Sequence, residues 1–438
     1  MPAAHYSKVV QTNSFSPALR YTGRIAAFDI ARGLAVLGMF IAHVGPEREG
    51  LTGWLLGLAD GRSSILFATL AGVSLAILTG RNVPYTGVEW LQAKIRIYTR
   101  AAILIVIVAI LSLMNDIVAL ILAHYAAWFV LALPFLRWRP RNLFIAAGVC
   151  WLLGPILAVY LPAFFEKTGM DVLEGLSGFL IEALLTGTYV GVVYMGFVFA
   201  GIAIGRLDLT QRSVPGTLLP VGISLAIIGY GGGYLSTKFL QLDDGVDFGW
   251  DSTGSGYSSE SDTGIYNWAG PDWRGDGLGL DWLPGVTMPE PYFLAGAEPH
   301  SGTIWEALGS GGTAIAIIAA LLLGGPILSK VFYPVAAVGS MSLSAYSFHI
   351  IAIWAIPALV FPESMWPMFY LLLAALVLCS IWRFTLGRGP LELLVYRASQ
   401  KAARIIPGPG DSPQPAVASM QSQPHQFPAV PQQDSQRQ

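Results

Sequence analysis

The chain has 438 residues, of which 54% are hydrophobic and only 12% charged, with a formal net charge of −2 at pH 7. A soluble domain usually has about a quarter charged residues. This composition excludes an ordinary soluble protein and indicates a chain that presents apolar side chains to lipid and satisfies its backbone inside helices.

Ten apolar stretches approach the roughly 20 residues that a membrane-spanning helix needs. They cover residues 28–45, 63–80, 97–114, 117–136, 142–162, 186–205, 214–235, 311–328, 340–360 and 367–386. We therefore predict an all-α fold, a polytopic transmembrane bundle of about ten helices. The fourth stretch is the least clear, because it contains His124 and Pro134.

Lysine and arginine gather in alternate connections, and basic residues of short loops accumulate on the cytoplasmic side of a membrane. These connections contain Arg81, Lys94, Arg96 and Arg100, then Arg137, Arg139 and Arg141, then Arg206 and Arg212, then Lys330. Ten spans with both termini in the cytoplasm satisfy this pattern. We predict a multi-pass protein of the plasma (cell inner) membrane, with the lipid bilayer as its main partner.

The same pattern divides the chain into parts. They are a cytoplasmic N-terminal segment (1–23), the first half of the bundle (24–236), an extracytoplasmic loop (237–300), the second half (301–397) and a disordered cytoplasmic tail (405–438). Between Gln241 and His300, eleven acidic residues and several aromatic residues accompany a single base, Arg274. This composition suits sugar binding, although interfacial Trp and Tyr also anchor loops to lipid headgroups.

The two cysteines, Cys150 and Cys379, both lie inside apolar stretches. This placement predicts buried free thiols rather than a disulfide or a metal framework. No metal and no nucleic-acid partner are expected, and the oligomeric state stays open, with a homo-oligomer as one alternative.

The first span carries Asp29 and Arg32 near its start and His43 near its end. Asp29 and His43 are separated by about 21 Å of helix, so they lie at opposite membrane surfaces. Asp29 and Arg32 could bind an anionic cytoplasmic donor. They could equally be an acidic first-turn residue and an arginine that sets topology.

Histidines are the main candidates for acid–base chemistry. His43 and His300 are expected at the outer surface, where either could deprotonate an acceptor, while His124 and His349 lie within the fourth and ninth stretches. A titratable group inside a span is a candidate for substrate binding. The alternative is a neutral imidazole that bonds to a neighbouring helix.

Asp60 and Arg62 stand at the outer end of the second stretch. They could pair with Glu47 or Glu49 and shape an outer pocket for substrate, although an exposed ion pair contributes little on its own. Small residues follow at Ala68, Ala71, Gly72 and Ser74. Their spacing predicts close helix packing.

Several strings together resemble the heparan-alpha-glucosaminide N-acetyltransferase-like membrane family, particularly its actinobacterial members. They are FDIARGLAVLGMFIAHV, DGRSSILFATLAGVSLAILTGR, LLTGTYVGVVYMGFVFAGIAIGRLDL, EPHSGTIWEALGS and MSLSAYSFHIIAIW. The ending TLGRGPLELLVYR is similar to a related family of uncharacterised bacterial membrane proteins. The resemblance implies a bundle in which cytoplasmic acyl-CoA delivers its acyl group to an acceptor on the far side, a terminal glucosamine in the characterised lysosomal member.

One position departs from the family pattern. When the Asp-x-x-Arg-Gly start is superposed, His43 falls where an asparagine is expected, and the family's catalytic histidine would fall near Trp54. The chain has no histidine between His43 and His124. Either His43, His300 or an intramembrane histidine supplies the base, or the chain does not catalyse this transfer.

The leading prediction is an acyltransferase that uses cytoplasmic acyl-CoA, with acetyl-CoA as co-substrate, to modify a sugar or glycolipid of the bacterial cell envelope. His43 or His300 would be the base. The alternative is a transporter or flippase of an envelope lipid precursor, although the span centres carry few of the charges that ion-coupled transporters need. Gly231–Gly233 is interpreted as a helix break of the transporter type, and a non-catalytic scaffold is a third alternative.

Overall fold

A computed structural model describes residues 25–46, 50–114, 118–167, 182–240, 278–279, 287–288, 291–360 and 362–406. The predicted N-terminal segment (1–23), most of the predicted acidic loop and all but the start of the predicted tail lie outside these residues. Within them the chain is helical, apart from connections and an antiparallel pairing of Leu278–Gly279 with Thr287–Met288.

The described residues form α-helices that we number in chain order. They are α1 (Ala26–Val44), α2 (Gly50–Gly57), α3 (Arg62–Leu78), α4 (Gly87–Ser112), α5 (Ile121–Leu131), α6 (Pro140–Lys167), α7 (Gly191–Arg206), α8 (Ser213–Phe239), α9 (Ile304–Val331), α10 (Tyr333–Ser340), α11 (Ser342–Ala355), α12 (Trp366–Thr385) and α13 (Pro390–Ala403).

Among the described residues, seven helical segments are long and apolar enough to cross a membrane, or eight if α10 and α11, which meet at 84°, form one broken span. This confirms a multi-pass helical membrane protein. Each of the ten predicted stretches coincides with a helix, but α5 and α7 are shorter apolar helices. The count of ten spans and the side on which the termini lie therefore stay predictions.

The least clear predicted span is one of these two shorter helices. α5 has 11 residues, and Pro134 lies in a 3₁₀ turn, Leu133–Phe135, just beyond it. Proline cannot donate a helical hydrogen bond and clashes with the preceding turn, so it ends the helix before a full span is reached.

The helix break predicted at Gly231–Gly233 is wrong. α8 runs unbroken from Ser213 to Phe239. A β-carbon at Gly232 would overlap the ring of Trp305, and one at Gly233 would meet Ala297. These glycines allow close packing against α9 and the segment before it. Bends lie instead at Gly325 within α9, where φ is 58° and ψ is −150°, and between α10 and α11.

Helices α1, α3 and α7 form the centre of the bundle. The span window is 61% buried in α1 and 78% buried in the segment containing α3, and nearly all of α7 is buried. The windows of α4, α6, α8 and α12 are at most 28% buried, so these helices have the wide apolar exposure expected of lipid-facing elements.

Glycines let the central helices touch backbone to backbone. A β-carbon at Gly72 of α3 would overlap the carbonyl oxygen of Val198 in α7, and one at Gly201 would overlap that of Thr69. Gly33 and Gly339 make the same kind of approach between α1 and α10. The close packing predicted for the second stretch is thus confirmed at Gly72.

We expect Gly72→Leu to destabilise the bundle strongly, because a side chain at this position must push α3 and α7 apart. Overpacking costs typically about 1–3 kcal/mol and more where backbone must move. Thermal unfolding in detergent measures the effect. Gly148→Leu is the matched control, since a β-carbon there meets nothing within 4 Å, and equal melting temperatures for the two variants would contradict the proposed contact.

Arg206 joins the end of α7 to the end of α3. Its side chain is buried and donates to the backbone carbonyls of Ala76, Thr79, Arg81 and Leu136 and to the hydroxyl of Thr79. These bonds satisfy carbonyls that a helix end leaves without helical partners. This arginine therefore links the ends of α3 and α7 to the turn that follows α5, in addition to any role in topology.

Candidate functional site

Four histidines meet at one end of the bundle, and we call His43, His124, His300 and His349 the histidine cluster. His43 and His349 are hydrogen-bonded, and His300 lies close enough to His43 to interact with it electrostatically. The ring of Tyr189 lies edge-on to both His124 and His300, with centroids 5.1 and 5.6 Å apart. These residues come from α1, α5, α11 and the segment before α9.

The contact between His43 and His349 is the shortest link in the cluster. Nδ1 of His43 lies 2.9 Å from Nε2 of His349, and the two rings are within 14° of coplanar, with centroids 5.2 Å apart. Nδ1 of His349 bonds to the backbone carbonyl of Tyr346. His349 is 2% exposed and stacks on Phe40 at 4.4 Å, so its ring has little freedom to turn.

His300 is held by a loop that Glu306 organises. The carboxylate of Glu306 accepts from the backbone N–H groups of His300 and Gly302 at 2.6 and 2.7 Å, while Thr303 caps α9 by accepting from the Glu306 N–H. His300 has a φ of 62°, in the left-handed region that costs a non-glycine residue about 1–3 kcal/mol. The Glu306 bonds offset this strain and hold the backbone of the loop that carries the imidazole.

Burial lowers the pKa of His300 from its ordinary value to about 4, and the nearby charge of Asp60 opposes this shift. The ring is therefore neutral at physiological pH. Asp60 thus lies within electrostatic range of His300, and its role in a pocket stays a prediction. Glu47 and Glu49, its predicted pairing partners, lie outside the described residues.

Arg62 lies beside the same loop, and its hydrogen bonds go to a tyrosine hydroxyl and a backbone carbonyl. Its Nε donates to the hydroxyl of Tyr230 at 2.7 Å, which in turn lies 3.0 Å from the hydroxyl of Ser310. It also donates to the carbonyl of Gly57 and lies within electrostatic range of Glu306. Arg62 therefore ties α3 to α8 and α9 next to the histidine cluster.

Buried phenols occupy the centre of the bundle. Tyr125 lies within electrostatic range of Tyr189, Tyr194 and Tyr346, and also of Arg32. Its hydroxyl is buried and makes no hydrogen bond with any residue that the structure describes. The hydroxyl of Tyr194, by contrast, bonds to Ser64 at 2.9 Å. Unpaired buried polar groups are rare, so the Tyr125 hydroxyl is a candidate ligand contact.

Arginines gather at the opposite end, where α1 begins. Arg100 lies within electrostatic range of Arg32, Arg96 and Arg388, and we call these four residues the arginine cluster. The Nε of Arg100 is buried and has no hydrogen-bond partner among the described residues. Like charges repel, so this convergence from α1, α4 and the segment before α13 favours a polyanion.

Asp29 and Arg32 are joined to each other and to both halves of the chain. Asp29 is 2% exposed, its carboxylate lies 3.3 Å from Arg32 and 4.0 Å from Arg383, and Arg32 also donates to Ser74 at 2.9 Å. Asp29 thus lies beside Arg32, a member of the arginine cluster, and both residues lie at the opposite end of α1 from His43, as predicted.

Cys150 and Cys379 are free thiols, as predicted, but only Cys379 is buried and Cys150 is partly exposed. Across the described part of the chain, no three His, Cys, Asp or Glu side chains converge closely enough to hold a metal ion.

Sequence reasoning missed Glu306, Tyr125 and Arg388. The string T-I-W-E at Thr303–Glu306 is a capping-box signature and could have indicated the start of α9 and a buried carboxylate. Tyr125 and Arg388 carry no comparable local signal, because their surroundings come from distant parts of the chain.

Trp54 is 63% exposed and lies in α2. The histidine that the first 100 residues contribute to the cluster is His43 on α1.

Residues 24–229 match the family model described as heparan-alpha-glucosaminide N-acetyltransferase, catalytic. This range includes His43, Asp60 and His124, whereas His300 and His349 lie beyond it. No curated protein and no solved structure matches the chain. The resemblance predicted from the sequence is thereby confirmed over residues 24–229, which are similar to the catalytic part of the heparan-alpha-glucosaminide N-acetyltransferase family.

Proposed function

We propose that the chain is a membrane-embedded acyltransferase that moves an acyl group, in the first instance acetyl, from cytoplasmic acyl-CoA to a sugar or glycolipid of a bacterial cell envelope. One observation carries this proposal. The segment that matches an acetyltransferase catalytic domain contributes His43 to a buried cluster of histidines, the residue type that most often transfers protons in such reactions.

The arginine cluster is the proposed donor site. Acetyltransferases of this type use acetyl-CoA, whose nucleotide part carries several phosphate charges. Arginine binds phosphate through paired, charge-assisted hydrogen bonds. Arg32, Arg96, Arg100 and Arg388 would bind these phosphates, and Asp29 would orient Arg32. This assignment agrees with the predicted cytoplasmic position of both termini.

The buried phenols are the proposed route between the two ends. Tyr125 lies within electrostatic range of Arg32 on one side and of Tyr189 and Tyr346 beside the histidines on the other. A donor anchored at the arginine cluster would extend its thioester past Tyr125. The unpaired hydroxyl there would bind an amide or carbonyl of that chain.

His43 is the proposed general base. It takes the proton from the acceptor hydroxyl or amine as that group attacks the thioester carbonyl carbon. A carbon–oxygen or carbon–nitrogen bond forms, the carbon–sulfur bond breaks, and the proton passes from His43 to the departing sulfur to give free CoA. His300 faces the same space as a second neutral base, with His124 and His349 behind.

The acceptor would lie next to the His300 loop, where Asp60 and Arg62 border the cluster. A carboxylate and a guanidinium suit hydrogen bonding to sugar hydroxyls and amines. The acidic, aromatic segment predicted between α8 and α9 leads directly into this loop, and we assign it to binding of the envelope glycan or glycolipid.

Release of free CoA tests this function. The purified full-length protein in lipid nanodiscs is given acetyl-CoA, with and without a crude envelope glycolipid extract, and CoA is measured with a thiol reagent. We expect release that depends on the extract. An absence of both turnover and saturable binding of acetyl-CoA or longer acyl-CoAs would refute the acyltransferase proposal and favour the lipid transporter.

A further inference from the structure

We propose that His349 is a positioning residue that sets the tautomer of His43 and thereby turns the lone pair of His43 Nε2 toward the acceptor. This inference rests on the proposed function for its consequence in catalysis, but its structural content concerns two rings whose geometry can be measured without turnover.

The first step follows from the Tyr346 carbonyl. A carbonyl oxygen can only accept a hydrogen bond, so its partner, Nδ1 of His349, must carry the hydrogen. In a neutral imidazole one nitrogen donates and the other accepts. Nε2 of His349 therefore has the lone pair. Burial at 2% exposure favours the neutral form of this ring, because charge is costly in an apolar interior.

The second step passes this constraint to His43. Nε2 of His349 faces Nδ1 of His43 at 2.9 Å, and the near-coplanar rings place the bond in the plane of both imidazoles. Because His349 accepts here, His43 must donate from Nδ1. The remaining nitrogen of His43, Nε2, then has the lone pair that a general base needs.

The stacking partners explain why the constraint holds. His349 lies against Phe40 on one side, with centroids 4.4 Å apart, and against the edge of Tyr346 at 4.9 Å. A flip of the ring would lose the Tyr346 carbonyl and the His43 contact together. The tautomer is therefore fixed by the fold of α11 rather than by solvent.

During acyl transfer His43 becomes an imidazolium when it takes the acceptor proton. Its Nδ1–H already points at the lone pair of His349, which stabilises the positive charge without itself being protonated. His349 would thus play the part that a carboxylate plays behind the histidine of a catalytic triad. It lies outside the matched segment, so the second half of the chain completes a site built on the first.

Nitrogen NMR of the full-length protein, labelled with ¹⁵N-histidine in nanodiscs, tests the inference directly. We expect both His43 and His349 to be protonated at Nδ1, and loss of signals in His43→Gln and His349→Gln assigns the two rings. In His349→Leu we expect His43 to shift toward protonation at Nε2. A wild-type His43 protonated at Nε2, or one that does not respond to His349→Leu, would overturn the proposal.

Kinetics provide a second test. We expect His349→Leu to lower kcat on the order of 10²-fold with little change in KM for acetyl-CoA, since a wrong tautomer impairs proton transfer rather than binding. His349→Gln can accept from His43 through its carbonyl oxygen and should recover part of that loss. Equal activities of the two variants would contradict a tautomer role.

The two proposals can fail separately. Nδ1 protonation of both rings without CoA release in the wild type would refute the acyltransferase and leave the ring geometry standing. CoA release with His43 protonated at Nε2 would refute the positioning role alone.

Discussion

Replacing His43 with glutamine is expected to lower the kcat of acyl transfer about 10²- to 10⁴-fold, the range that general base catalysis contributes. Binding of acetyl-CoA should stay unchanged, because the arginine cluster lies at the opposite end of α1. CoA release and equilibrium binding of acetyl-CoA in nanodiscs measure the two quantities separately.

The controls locate the base. His425→Gln, in the C-terminal tail, should have wild-type activity, and His300→Gln should have a smaller effect than His43→Gln. If His43→Gln retained full turnover while His300→Gln abolished it, the base would be His300, and the coupled pair with His349 would have only a structural role.

Neutralising the arginine cluster is expected to weaken donor binding. A hydrogen bond to a charged group contributes about 1.5–3 kcal/mol, so Arg32→Gln and Arg100→Gln should each raise the Kd for acetyl-CoA roughly 10- to 100-fold. The kcat at saturation should change little, since these residues do not approach the reacting atoms. Titration of binding at several salt concentrations provides the measurement, and the variants should lose part of the salt dependence.

Arg397→Gln is the matched control for this prediction. Arg397 lies on α13 and lines an open pocket there together with Lys401 and Leu394, and it is not among the arginines that interact with Arg100. Its replacement should leave the Kd unchanged. An equal effect of Arg397→Gln would indicate a diffuse attraction to a basic surface, and no effect of Arg100→Gln would place the donor elsewhere.

Much of the fold could be predicted from the sequence, because a long apolar stretch is a strong indication of a membrane-spanning helix. Each of the ten predicted stretches contains or overlaps a helix. The length of an apolar stretch does not show how much of it is helical. In the fourth stretch, Pro134 lies in the turn after α5, and the helix is shorter than a full span. The interpretation of Gly231–Gly233 as a helix break was also wrong, because glycine there permits close contact with Trp305.

For the candidate site, the individual residues could be predicted from the sequence, but their arrangement could not. His43, His124, His300 and His349 were each identified as candidates, and α1 separates His43 from Asp29 and Arg32 as expected from helix geometry. Their convergence depends on packing between helices far apart in the chain. The bond between His43 and His349 joins residues 306 positions apart, for which no local spacing gives a signal.

The family match ends at residue 229, so the resemblance of the C-terminal ending to uncharacterised bacterial membrane proteins stays a prediction, as do the number of spans and the cytoplasmic side of the termini. The arginine cluster nevertheless takes Arg388 from that ending, which gives the C-terminal part a role in donor binding on the proposed function.

Transfer of label from [acetyl-¹⁴C]acetyl-CoA to the envelope glycolipid extract tests acyl transfer most directly. The wild-type protein in proteoliposomes should place label on an extractable glycolipid in equal amount to the CoA released, and His43→Gln should place almost none. If the folded, reconstituted protein bound the extract saturably but transferred no label, this result would contradict the acyltransferase and support the lipid transporter.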